Sequence, residues 1–344
     1  MNYRYWMIMF LLLAGVYACR KEFTDEVFTA FQGPSNFPPP VYHFATNTVT
    51  NAGFELGRAL FYEKMLSADN SVSCGSCHIQ TSAFTHHGHS ISHGIFDRVG
   101  TRNSPPIMNL AWNNSFMWDG GVFDLDLQAI APLTNHAEMD ETMSNVLSKL
   151  RTSARYPPLF RKAYGSDDIT TAAFLKSLSQ FMVMCISCNS KYDSVKRHEG
   201  GKVFTPDEEK GYVLFRQKCG SCHAEPLFTD QSFRNNGIPV SNNADLGRYL
   251  ITQNDADKYK FKVPSLRNLE YTAPYMHDGR FLTLDAVLNH YTSQVEQTAN
   301  LDPVFVANGF TGIALSASER KLITAFLNTL NDRSFLLDKR FSEL

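Results

Sequence analysis

Net charge is almost absent from this chain of 344 residues: 32 Lys and Arg stand against 34 Asp and Glu, for a formal charge of −2. No Lys/Arg stripe breaks the balance, so the sequence offers no electrostatic field for nucleic acid. Its N-terminal apolar run, Tyr5 to Ala18, falls short of the roughly 20 residues that a bilayer-spanning helix needs. Low-complexity tracts are missing, and period-two alternation is scarce, which leaves little room for a sheet-built core. What is present is apolar side chain, 43% of the chain, enough for one large core or two ordinary ones.

The short apolar run has a use of its own. Arg4 precedes it, and it closes on Val16-Tyr17-Ala18-Cys19, a small residue followed by cysteine. Residues 1–19 read as a secretory signal that ends in a lipid-modified cysteine; an ordinary signal peptide in which Cys19 is incidental is the alternative. Residues 20–45, with Pro34 and Pro38-Pro39-Pro40, are then expected to be a tether. The mature protein is expected in the periplasm, lipid-anchored at Cys19.

The seven cysteines include three CxxC pairs: CGSCH at 74–78, the same pentapeptide at 219–223, and CISCN at 185–189 between them. Thiols at i and i+3 share a helix face, so both can add to the vinyl groups of one haem. The next residue, His, then reaches the iron as proximal ligand. A zinc site would want its second pair of ligands nearby, whereas these copies lie far apart in the chain. Two covalent haem c groups are therefore expected, one on Cys74, Cys77 and His78, the other on Cys219, Cys222 and His223.

Between these sites the chain reads as mainly helical. Met143, Val146, Leu147 and Leu150 follow Asp140 at helical spacing. Thr205-Pro206-Asp207-Glu208 is a capping box with Pro in the first turn, and Ser316 with Glu319 forms another. The polar stretch around His198-Glu199-Gly200-Gly201 marks a boundary. The expected architecture is mainly α, with two cytochrome c-like haem domains packed together, at 46–200 and 201–344. The one repeat that the sequence shows is the haem pentapeptide with its leading helix.

Several further motifs follow in a fixed order. Leu56-Gly57-Arg58-Ala59-Leu60-Phe61 and Leu66-Ser67 precede the first CGSCH. Gly100-Thr101-Arg102-Asn103-Ser104-Pro105, Met117-Trp118-Asp119-Gly120, Pro132 and Glu138-Met139 come after it. The second CGSCH is followed by Lys262-Val263-Pro264-Ser265-Leu266-Arg267-Asn268 and Thr272-Ala273-Pro274-Tyr275-Met276-His277-Asp278-Gly279. In this the chain resembles the bacterial di-haem cytochrome c peroxidases and their MauG branch, over roughly residues 50–335.

The resemblance implies roles. The haem on His78 would be the peroxide-reducing centre, with Glu138 as distal acid-base and Gln128 as its hydrogen-bonding partner. Peroxide cleavage needs such a proton carrier. Taken alone, Glu138 is as readily a helix-cap or surface carboxylate, and Gln128 a surface amide. Trp118 matches the tryptophan that relays electrons between the haems, where a core aromatic is the alternative. Asn103, Thr272 and Pro274 match positions whose oxygens hold one Ca²⁺. His93 matches a loop histidine that caps the first iron at rest; beside His86, His87 and His89 it reads equally as one of several exposed loop histidines.

Two features depart from the peroxidase pattern. Tyr291 stands where the peroxidases carry a methionine on the second iron and where MauG carries a tyrosine. Leu284, Val287, Leu288 and Tyr291 share a helical face after Thr283, which points Tyr291 inward and turns His290 away. A phenolate lowers the iron potential and Met raises it; a buried, hydrogen-bonded tyrosine is the other reading, and Met276 the other candidate ligand. In CISCN, Asn189 cannot replace an imidazole, so a disulfide or a free buried pair is expected at Cys185 and Cys188, not a third haem. The function expected is peroxide reduction with electrons from a small c-type cytochrome or another donor protein. The alternatives are a MauG-like oxidase acting on a partner protein and a non-enzymatic electron carrier. A homodimer is left open.

Overall fold

The computed structural model describes residues 29–240, 245–307 and 309–343. The signal reading of residues 1–19, the Cys19 anchor and the tether as far as residue 28 lie outside them. From Phe31 onward the described residues pack as one compact unit.

The longer helices are α1 (Asn51–Phe61), α2 (Met143–Thr152), α3 (Tyr156–Tyr164), α4 (Thr171–Met184), α5 (Pro206–Lys218), α6 (Leu284–Asn289) and α7 (Ala317–Asn328). Shorter helices, Lys191–Lys196 among them, and irregular loops join them. Thr50, Thr142, Thr170, Thr205, Thr283 and Ser316 each accept a backbone N–H at a helix start, because the first turn has donors with no partner inside the helix. The capping boxes at Thr205 and Ser316 form as expected. Helix α2 starts at Thr142 rather than beside Asp140. Asp140 lies outside the helix, with a positive φ of 47° and a carboxylate that accepts from Arg98 at 2.7 Å. Strand content is small: β1 (Phe233–Arg234) pairs antiparallel with β2 (Phe261–Lys262), and β3 (Val306–Ala307) with β4 (Phe310–Thr311).

Two helix crossings organise the molecule. In the first half α1 packs on α4, and a Cβ at Gly57 would lie 2.0 Å from the Ser177 carbonyl oxygen. In the second half α5 packs on α7, and a Cβ at Gly211 would lie 2.0 Å from the Leu322 carbonyl oxygen. Only glycine permits backbones to approach this closely. Phe54, Phe61, Phe84 and Phe181 fill the core below the first crossing, and Phe215, Phe228 and Phe326 the core below the second.

Residues 31–45 are not a tether. Phe37 is buried against Trp112 with ring centroids 5.1 Å apart, and the Trp112 indole donates to the Pro38 carbonyl at 2.7 Å. The proline-rich composition was compatible with an extended linker, but an extended segment with aromatic residues can equally lie down on an apolar surface.

The structure also reveals a repeat longer than the haem pentapeptide. Residues 103–128 and 262–287 follow the same path. Asn109 and Asn268, with φ of 57° and 60°, each lead a single-turn helix. Met117 and Met276, then Gly120 and Gly279, all have positive φ. Phe116 bridges Val122 as Tyr275 bridges Phe281. A short helix follows in each case, at Leu125–Gln128 and at α6. The backbone repeats while most side chains differ, which hides the repeat from residue-by-residue reading.

Candidate haem sites

The first site is a cavity of about 490 Å³. Ser73 and Ser76 cap the one-turn helix Cys74–Cys77, which turns both thiols to the cavity wall and leaves His78 at its end. His78 Nδ1 lies 2.7 Å from the Phe84 carbonyl, and burial holds the imidazole below its usual pKa. It is thus a neutral ring donating from Nδ1, with Nε2 free to act as a ligand. Burial pushes the Cys74 thiol up to about 12 and Cys77 upward too, so neither is a thiolate and neither is prepared to hold a free metal ion.

Glu138 and Gln128 open on the same cavity. Burial raises the Glu138 carboxyl above the ordinary range, against a hydrogen bond from Asn135 Nδ2 at 2.6 Å that lowers it. Gln128 donates from Nε2 to Met117 Sδ at 3.1 Å, and its buried Oε1 has no partner. A buried carbonyl without a donor is costly unless something in the cavity supplies one.

The second site is a cavity of about 180 Å³. Cys219 closes α5, and Cys222 and His223 follow it on the wall. His223 Nδ1 lies 3.1 Å from the Phe228 carbonyl and 3.2 Å from that of Pro264, and burial again lowers its pKa. Both imidazoles are therefore set in one tautomer by the same device, a carbonyl at the left-handed residues Phe84 and Phe228. Leu284, Val287, Leu288 and Tyr291 all line this cavity, as their spacing requires, although a π-helical turn at His290–Gln294 continues α6. His290 is buried away from the cavity with Nε2 3.1 Å from the Asn236 carbonyl. The Tyr291 ring stacks on Phe305 at 5.6 Å, and its hydroxyl accepts from Asn236 Nδ2 at 3.4 Å. Burial pushes its phenol up to about 12, so it stays protonated unless a cation sits beside it. Met276 lines the cavity too, its Sδ 3.7 Å from the same Asn236 amide.

Trp118 lines both cavities, with Asn103, Pro106, Lys262, Val263, Pro264 and Ser265. Its indole donates to the Asn103 carbonyl at 2.8 Å, and its own carbonyl accepts from Lys262 N at 2.7 Å. Asn103, Thr272 and Pro274, the three expected calcium positions, all line the second cavity. The His93 ring does not line the first cavity; its Nδ1 lies 2.5 Å from Asp97 Oδ1, although its neighbours Ser92 and Gly94 are on the wall.

The middle motif holds two free thiols, Cys185 and Cys188. Residues 187–189 form a junction between the two repeats. Ser187 N donates to Asn109 Oδ1 at 2.9 Å, Asn268 Nδ2 donates to Ser187 Oγ at 2.9 Å, and the N–H groups of Cys188 and Asn189 converge on Asp332. Sequence reading named the pair and missed the junction, since serine between two cysteines carries no signal. It also left Asn236 and Lys262 without a role; both became visible only as cavity walls.

Two thiols and a tautomer-fixed imidazole on each of two cavities suit covalent haem c, and the fold and sites together define a mainly α di-haem c-type protein. A family model described as di-haem cytochrome c peroxidase matches residues 51–201. The chain is 33% identical over 326 residues to the methylamine utilization protein MauG of Methylorubrum extorquens, across 92% of this chain and 89% of that one. It is 35% identical over 273 residues to the cytochrome c551 peroxidase of Nitrosomonas europaea, across 77% and 80%. The crystal structure of a MauG-like protein associated with microbial copper homeostasis matches with a TM-score of 0.82 at 30% identity, covering 92% of this chain and 99% of that one. The chain belongs to the di-haem cytochrome c peroxidase and MauG family, and its cofactor is haem c.

Proposed function

We propose that this protein is a di-haem peroxidase that reduces hydrogen peroxide in the His78 cavity with electrons delivered through the His223 site. The observation that carries this reading is the unpartnered Gln128 Oε1 beside the Glu138 carboxyl on one cavity wall. Haem held by Cys74, Cys77 and His78 would bind peroxide and pass on the electrons that arrive from the second site. Gln128 Oε1 accepts the hydrogen bond of the peroxide O–H. Glu138 takes the proton from one peroxide oxygen and returns it to the other, which leaves as water. Two electrons and two protons in all give two waters. Trp118, on both walls, is the conduit between the sites. A carrier with both irons capped would have no use for this acid and amide.

Glu138→Gln should keep both haems and lose about 10²–10⁴ in peroxide turnover, the usual worth of a general acid-base. Unchanged turnover would remove Glu138 from the mechanism.

A MauG-like oxidation of a partner protein is the second reading, favoured by the Tyr291 phenol on the second cavity wall. The other parts of the reading are an electron-donor protein such as a small c-type cytochrome, and one Ca²⁺ on oxygens of Asn103, Thr272 and Pro274. Neutral oxygens suit calcium. We also place the protein in the periplasm, anchored through Cys19; among the described residues no helix is long and apolar enough to cross a membrane.

A further inference from the structure

Lys262 is the one cationic side chain on the wall common to both cavities. Lys218 lines only the second cavity, and the arginines near the sites are engaged. Arg102 on the first wall pairs with Asp119 and Asp245, and Arg234 on the second pairs with Asp230 and Asp302. Lys262 has no carboxylate among the described residues. Its Nζ donates to the Ser115 carbonyl and lies 5.9 Å from the Phe116 ring centroid. Strand pairing with Phe233 and the bond from its N–H to Trp118 O fix its backbone at the wall.

A buried ammonium without an anion is expensive, by several kcal/mol in real proteins. Burial alone pulls this lysine down to about 8, with no protein charge opposing. Such a group persists where its counter-charge arrives with a ligand. Haem brings carboxylates, its propionates, and this chain takes two haems. An ammonium has three donors; Ser115 uses one and two remain.

We propose that the Lys262 ammonium is the shared counter-cation for haem carboxylates at the wall between the two cavities, and that it sets both iron potentials upward together. The sign follows from charge: a nearby cation favours the ferrous state of each iron over the ferric, and a low-dielectric wall strengthens the effect. Lys262 is thus a positioning and tuning residue, touching the haem edge and not the peroxide.

The proposal rests on the two-haem reading, so the test measures haem content separately. Lys262→Met, Lys262→Gln and Lys262→Arg are compared with wild type, first for haem-to-protein ratio by alkaline pyridine spectra, then for both midpoint potentials by spectroelectrochemistry. The expected result is a ratio of two throughout, both potentials lowered in the Met and Gln variants, and both restored towards wild type in the Arg variant. Gln keeps a donor for Ser115 and is the neutral variant to read should the Met variant fail to accumulate. Potentials that stay put, or a shift confined to one haem, overturn the shared role while a ratio of two leaves the two-haem reading intact. A wild-type ratio other than two overturns that reading itself.

Discussion

Residues 103–128 and 262–287 trace one backbone path twice, yet the two copies present different chemistry at matched points. Trp118 in the first copy faces both cavities, whereas His277 in the second lies flat on Phe261, ring centroids 3.6 Å apart, and burial brings its pKa down to about 4. Gln128 brings an unsatisfied amide oxygen to the first cavity, and Val287 at the matched point brings only methyl groups to the second. A turn later Pro132 borders the first cavity where Tyr291 borders the second. Met108 is matched by Arg267, which is fully buried with Asp193. The difference teaches how a duplicated scaffold divides labour. Left-handed residues and caps fix the shared path, and a handful of cavity-facing side chains give the larger site a carboxyl and an amide and the smaller one a phenol.

The comparison can be broken most severely at Arg267, which the first copy does without. Asp193→Asn leaves that guanidinium buried and uncompensated, and should cost about 3–5 kcal/mol of stability, read as a fall in the denaturation midpoint. Burial raises the Asp193 carboxyl, but two bonds from Arg267 at 2.8 Å outweigh it and hold it below the usual range. A depressed pKa gives stability that is present above the unfolded value, about 3.9, and lost as pH falls through the lower folded value. The variant should therefore flatten the acid limb of the stability profile; an unchanged limb would contradict the assignment.

The helix crossings test whether the halves are equivalent in packing. Gly57→Ala and Gly211→Ala each push a methyl into a facing carbonyl, and each should cost at least roughly 1–3 kcal/mol. Similar losses in denaturant titrations support equivalence, while a harmless substitution at either site refutes the close approach there. Gln128→Val makes the first cavity resemble the second at one point. Loss of a hydrogen bond worth about 1 kcal/mol should slow peroxide turnover several-fold with haem content intact, and a full wild-type rate would show that the amide oxygen is not used.

Tyr291 sharpens the distinction spectroscopically. If the phenol oxygen is a ligand, Tyr291→Phe should convert the second haem to a high-spin EPR signal and Tyr291→Met should raise its potential, because the axial ligand is a main lever on haem potential. Identical spin state and potential in wild type and Tyr291→Phe would leave Tyr291 as a stacked core residue. The smallest effect is expected at the junction. Cys185→Ser with Cys188→Ser should leave the haem ratio at two, since Ser187 and the backbone of 188–189, not the thiols, make the junction.

Much of this protein was legible before any fold was known. Helix starts follow from hydroxyl caps, and the two CGSCH motifs state their chemistry through spacing alone, because thiols and imidazole must share one helix end to meet one haem. The inward face of Leu284, Val287, Leu288 and Tyr291 was also written in its period, since helical geometry is local. Tertiary structure alone decided the rest. It put Trp118 and Lys262 on a wall between two cavities, laid residues 31–45 on the body, and made CISCN a junction rather than a cofactor site. These depend on contacts between segments distant in sequence, and no local pattern encodes which segment will arrive. The same holds for the hidden repeat: its backbone was kept by left-handed residues at matched points, while the side chains that would have announced it were replaced to give the two sites different work.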